Sequence, residues 1–187
     1  ALVRAKAAGA LAPRLAAGEA PVVSALQAGL ADPVRAARVA SARALRQGTT
    51  DLQGYLMRNA DQPAALLELS SLVMDRDPAS ALPLLTRAVD WNGDDPQARM
   101  ALAIVSSRLG DHDRAGEELK AVTSLAPDRA EGWYMLGLHH SGRGRIEPAL
   151  AALENAAGLA PQNPDPPFAM ATILRDQGRD AEALTAA

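Results

Sequence analysis

At 187 residues the chain is long enough to bury a core, either as one large domain or as two small ones. Hydrophobic residues make up 48% but aromatics only 3%, so Ala and Leu supply most of the apolar content, and both are strong, closely packing helix formers. The net charge of −3 excludes an overall basic face for nucleic acid, the lack of cysteine excludes a disulfide, a thiolate zinc site or covalent haem attachment within these residues, and the lack of a long apolar run excludes membrane insertion.

In chain order, the opening Leu2-Val3-Arg4-Ala5 is followed by the turn Ala31-Asp32-Pro33 and by Val34-Arg35-Ala36-Ala37-Arg38-Val39-Ala40. A shift of 34 residues aligns Arg4, Ala8, Ala10 and Leu11 with Arg38, Ala42, Ala44 and Leu45. These two stretches resemble the second helices of HEAT-type repeats. Arg35, Arg38, Arg43 and Arg46 lie close together and read as a solvated helix face in preference to a nucleic-acid contact. Thr49-Thr50-Asp51 can cap a helix from Leu52 to Asn59, and the register changes near Asp61.

From there a 34-residue period governs the chain. The stretch Ala130 to Asn163 carries Trp133, Leu136, Gly137, Ala149, Leu153, Ala156 and Pro161. The stretch Pro96 to Arg129 places Leu102, Ala103, Gly110, Ala115, Leu119 and Pro127 on matching positions, with Arg99 where the Trp would be. Met170, Ala171, Gly178 and Ala183 continue the pattern, and Pro63 to Asp95 supplies Leu69, Ser70, Ala81, Leu85 and Ala88 with one residue missing from its inter-helix turn. Small residues on the first helix (Ala103, Gly137, Ala171) meet small residues on the second (Ala115, Ala149, Ala183), so the two helices of each hairpin can approach closely. Gly at one turn and Pro at the other punctuate them.

This period and pattern are similar to those of the tetratricopeptide repeat. The expected fold is all-α: a right-handed α-solenoid of helical hairpins, with a HEAT-like segment over 1–61 and a tetratricopeptide array over 62–187. The units of that array are 63–95, 96–129, 130–163 and an incomplete 164–187. A start in mid-helix at Ala1 and a stop inside the last hairpin at Ala187 suggest part of a longer polypeptide.

Chemistry is sparse. His112, His139 and His140 have no metal-ligand spacing; His140 falls where a packed histidine is expected, and His112 falls in a turn. No phosphate loop or nucleophile elbow occurs, and Glu117-Glu118 and Asp94-Asp95 read as solvated. The chain therefore reads as non-catalytic, with no cofactor of its own.

The resemblance implies a concave groove lined by the first helix of each hairpin. The positions facing it are Leu67 and Ser71; Met100, Ile104 and Arg108; Tyr134 and Leu138; and Phe168, Thr172 and Arg175. Leu67, Met100, Tyr134 and Phe168 would form an apolar stripe for an extended or helical segment of a partner protein, or of a second copy, with arginines for an acidic flank. Alternatively, the Met and Leu there pack against a neighbouring unit. The Lys and Asn pair that grips a C-terminal carboxylate in chaperone-binding members is absent at these positions, which disfavours a chaperone-tail adaptor. The order of modules, with Gly54-Tyr55-Leu56 and Asn59-Ala60-Asp61-Gln62-Pro63 between them, also resembles the C-terminal region of bacterial multihaem c-type cytochromes. That resemblance implies haem c attached upstream and a location outside the cytoplasm.

Overall fold

The computed structural model describes residues 2–15 and 19–186; the terminal Ala1 and Ala187, on which the expectation of interrupted helices rests, lie outside the described residues. Among the described residues there are twelve helices and no strand, so the all-α expectation holds. They are α1 (Leu2–Leu15), α2 (Ala20–Gly29), α3 (Arg35–Ala44), α4 (Thr50–Arg58), α5 (Pro63–Val73), α6 (Pro78–Trp91), α7 (Pro96–Arg108), α8 (His112–Leu125), α9 (Ala130–Gly142), α10 (Ile146–Leu159), α11 (Asp165–Asp176) and α12 (Asp180–Ala186). Contacts divide the chain into two compact units, Ala1–Ala88 and Val89–Ala187. That division follows contact density, whereas the change near Asp61 is one of sequence register, so the two boundaries mark different things.

In the first unit α3 is shared by two cores. On one side Ala8, Val22 and Leu26 are buried with Leu11, Leu15, Ala40, Ala44 and Leu45 around them. On the other, Val39 and Ala42 pack with Leu52, Leu56, Ala65 and Leu69 from α4 and α5. Each fully buried Leu contributes roughly 1.5–3 kcal/mol, more than any local turn feature supplies. Thr49 caps α4 as its sequence suggested, its hydroxyl accepting the Leu52 N–H at 3.3 Å. The arginines of α3 are not simply solvated. Arg38 donates to Asp51 at 2.6 Å and to the Asp32 carbonyl at 2.8 Å, and Arg43 donates to Glu68 at 2.6 Å, so they tie α3 to the loop before it and to α4 and α5. The ion pair with Arg38 holds the Asp51 carboxyl below its ordinary range.

In the second unit the 34-residue period is visible atom by atom. Ala103, Ala115 and Ala149 are buried, and Gly137 lies so close to α10 that a Cβ there would come within 2.7 Å of Leu153 Cγ and 3.2 Å of the Ala149 carbonyl oxygen. Small residues at the crossing are therefore a steric requirement; their counterparts Ala171 and Ala183 are half-buried. Gly110, Gly144 and Gly178 each take a left-handed φ (+82°, +70° and +72°), which glycine adopts without strain. Past each, the chain turns so that Asp111, Arg145 and Arg179 donate their backbone N–H to the carbonyls of Ser106, His140 and Leu174, all at 2.9 Å.

The Trp position has a physical explanation as well. Trp133 Nε1 donates to the carbonyl of Pro127, six residues back, at 2.9 Å. Arg99, one period earlier, donates from Nε to the carbonyl of Gly93, also six residues back, and adds an ion pair with Glu118 at 2.7 Å. What recurs is a bulky side chain carrying a donor. One detail differs from expectation: His112 is not in a turn but is the first residue of α8, because the Asp111 side chain caps that helix by accepting the Arg114 N–H at 3.1 Å.

Candidate functional site

The ten expected groove residues all lie on first helices of hairpins, and none is buried. In the first unit Leu67 and Ser71 are on α5; Leu67 is half-buried, and the Ser71 hydroxyl donates to the Glu68 carbonyl at 2.7 Å. Ser71 also borders a polar hollow of about 940 Å³ with Arg43, Arg46, Glu68 and Asp75.

The other eight belong to the second unit. Met100 on α7 and Tyr134 on α9 are half-buried because each also packs into an inter-helix core, Met100 beside Ala103, Leu119 and Leu136, and Tyr134 beside Leu150, Leu153 and Ile173. Phe168 on α11 is 73% exposed, an unusual state for an aromatic in a chain with so few. Thr172 donates back to the Phe168 carbonyl at 2.9 Å, which fixes its hydroxyl on its own helix. Arg175 is exposed and near Asp176, and Arg108 is exposed at the end of α7.

Two of the eight are brought to one place. Ile104 and Leu138 line a hollow of about 320 Å³. Its other walls are residues that the sequence did not single out for binding: Met135 and Leu119 at the apolar end, and Ser107, His112, His139 and Arg143 at the polar end. His139 reaches its place because α8 has Gly116 opposite, where a Cβ would come within 2.7 Å of the ring Nε2. Only the 34-residue register, which sets Gly116 and His139 on facing helices, could have signalled this pairing.

Burial, then the neighbouring His140 and Arg143, push the His139 pKa below the ordinary histidine value. His140 is pushed the same way by burial, Arg145 and Lys120; it is the packed histidine the sequence suggested, and its Nδ1 is buried without a hydrogen-bond partner among the described residues. Both rings thus take up a proton less readily than a free imidazole. Among the described residues no group of three or more His, Asp or Glu could hold a metal ion. The arrangement offers an apolar floor, exposed apolar side chains and a few polar donors, which suits non-covalent binding of a side chain.

Residues 72–138 and 130–163 each match the family described as Tetratricopeptide repeat, and the second match has the bounds of the unit read from the sequence. The repeats over residues 72–163 are tetratricopeptide repeats. Among solved structures, a crystal structure of MamA is similar at 20% identity and a TM-score of 0.67, covering 80% of this chain and 84% of that one. MamA from Desulfovibrio magneticus RS-1, residues 41 to the end, gives 17% identity and a TM-score of 0.63 over 98% and 90% of the two chains. The first tetratricopeptide domain of Spaghetti (RPAP3), solved bound to the HSP90 peptide SRMEEVD, gives 16% and 0.60 over 64% and 95%. At these identities the likeness is one of fold. No curated protein matches the sequence. None of these descriptions speaks of a HEAT segment or of a haem protein.

Proposed function

We propose that this chain is a non-catalytic scaffold that binds a protein segment through the first-helix face of its second unit. The occupant is an apolar stretch with an acidic flank, from a partner protein or from a second copy of the chain. The observation that carries the reading is the exposure of Phe168, the most exposed aromatic among the described residues. An aromatic of this size left in water costs solvation free energy that binding would recover, roughly 1.5–3 kcal/mol on full burial. Leu138, 39% exposed, adds a second anchor at the rim of the hollow it shares with Ile104, and the exposed Arg108 and Arg175 supply positive charge for the flank. Similar folds bind peptides, as the RPAP3 domain does with its HSP90 peptide, and this supports the class of function without naming the partner.

The test is to select peptides from a displayed random library on the intact chain and to measure them against Phe168→Ala and Leu138→Ala. Selected peptides should carry an apolar anchor with neighbouring acids, and each substitution should weaken them about tenfold while helical circular dichroism is unchanged. Peptides that bind both variants as well as the parent would refute the assignment of this face.

A further inference from the structure

The first unit carries a separate surface feature. Arg35, Val39 and Arg43 of α3, with Tyr55, Arg58 and Asn59 at the α4 end, line an open hollow of about 710 Å³. Three guanidinium groups on one hollow are conspicuous in a chain whose net charge is −3.

Their counter-charges are unequally shared. Arg43 is engaged twice, with Glu68 at 2.6 Å and stacked over the Tyr55 ring at 5.3 Å from its centroid. Asp51 is taken by Arg38 at 2.6 Å, so that Arg35 reaches the same carboxylate only at 3.5 Å. Arg58 makes no ion pair and no side-chain hydrogen bond among the described residues. The two under-compensated cations also converge. Arg58 Nη1 and Arg35 Nη2 lie 3.6 and 3.7 Å from the point where a Cβ of residue 54 would stand, and residue 54 is glycine. Both distances are ordinary van der Waals contacts, so a side chain at residue 54 would touch both guanidinium groups without displacing either.

We propose that the Arg35 and Arg58 guanidinium groups over Gly54 bind carboxylate side chains of an acidic protein segment, with Val39 and Tyr55 packing against their aliphatic stems. Guanidinium matches a carboxylate with two parallel hydrogen bonds, and two such groups at one point accept one or two glutamates. A protein segment is favoured over nucleic acid because two available cations can pair with one or two glutamates but are few for a nucleic acid, whose binding rests on neutralising many phosphates. This site is independent of the face proposed above, and either can fail without the other.

The experiment uses the intact chain and a fluorescein-labelled hexaglutamate peptide, followed by anisotropy. Hexaglutamine and a six-nucleotide thymidine oligonucleotide with the same label serve as comparisons. Hexaglutamate should bind, more weakly as salt is raised, and hexaglutamine should not. Arg58→Gln and Arg35→Gln should each weaken hexaglutamate about tenfold. Gly54→Glu places a resident carboxylate between the two guanidinium groups, four residues before Arg58, and replaces a helix-interior glycine. It should therefore fold at least as well as the parent and yet lose the peptide. Overturning results are hexaglutamate failing to bind the parent, binding Gly54→Glu with unchanged affinity, or binding less tightly than the oligonucleotide.

Discussion

The turns between paired helices are built differently in the two units, although one backbone bond recurs in both. In the second unit the N–H of Asp111, Arg145 or Arg179 reaches back five residues to a helix carbonyl, with a glycine in the left-handed conformation just before it. In the first unit α3 ends the same way: Gln47 N–H bonds the Ala42 carbonyl at 2.9 Å, but the left-handed residue is Arg46, at φ +52°. A side chain there carries a strain of roughly 1–2 kcal/mol. Between α5 and α6 the positions that match Ser106 and Asp111 are Val73 and Asp77, whose 2.8 Å bond spans only four residues. The residue missing from that repeat is thus the left-handed one. Where it is absent the turn closes without positive φ, and where it is present the chain needs glycine or bears the strain.

That comparison can be broken by substitution. The largest effect is expected for Gly144→Val, which puts a β-branched residue at φ +70°; urea unfolding should show a loss of about 2 kcal/mol. If valine there is tolerated, the left-handed residue is not what shapes the turn. Arg99→Ala removes the donor to Gly93 and the pair with Glu118 and should cost about 1 kcal/mol, whereas Arg99→Trp, copying the next repeat, should stay within about 0.5 kcal/mol of the parent. Arg46→Gly should act in the opposite sense and stabilise by about 0.5 kcal/mol, relief of strain being offset in part by the freer unfolded chain.

A last contrast concerns protons. All three histidines lie in the second unit. Burial lowers His139 and His140 in the folded state, so on acidification the unfolded chain takes up protons first, starting near its ordinary value of about 6.5. Stability is therefore full above that pH and falls as pH drops below it, towards the depressed folded values. Thermal melts at pH 7 and 5.5 should show the decline, and His140→Leu should flatten it.

Much of this fold could be read because its spacing is set by sterics. The small residues at 103, 137, 115 and 149 were legible, since close helix crossing admits little else, and so were the glycines of the turns. The Thr49 cap was legible for the same reason: a side-chain oxygen must sit three residues before Leu52. Less could be read where a position asks for a function that several residue types perform. Arg99 gave no hint that it donates as Trp133 does, because the requirement lies in the donor's reach, not in the residue's identity. The groove residues were placed on first helices by register alone. Register fixes which helix face a residue occupies but not how deeply it sinks, so Met100 and Tyr134 looked as free as Phe168. The α3 arginines failed differently: their partners Asp51 and Glu68 lie on other helices, and no period in the sequence relates them.

The bond from position 99 or 133 to the carbonyl six residues back has a consequence for how the array can change over time. It joins the first helix of one hairpin to the loop leaving the hairpin before it, and a single side chain makes it. At these two positions one codon can therefore exchange the donor that anchors the loop, as Arg and Trp already show, while the small residues that set the helix crossings stay as they are.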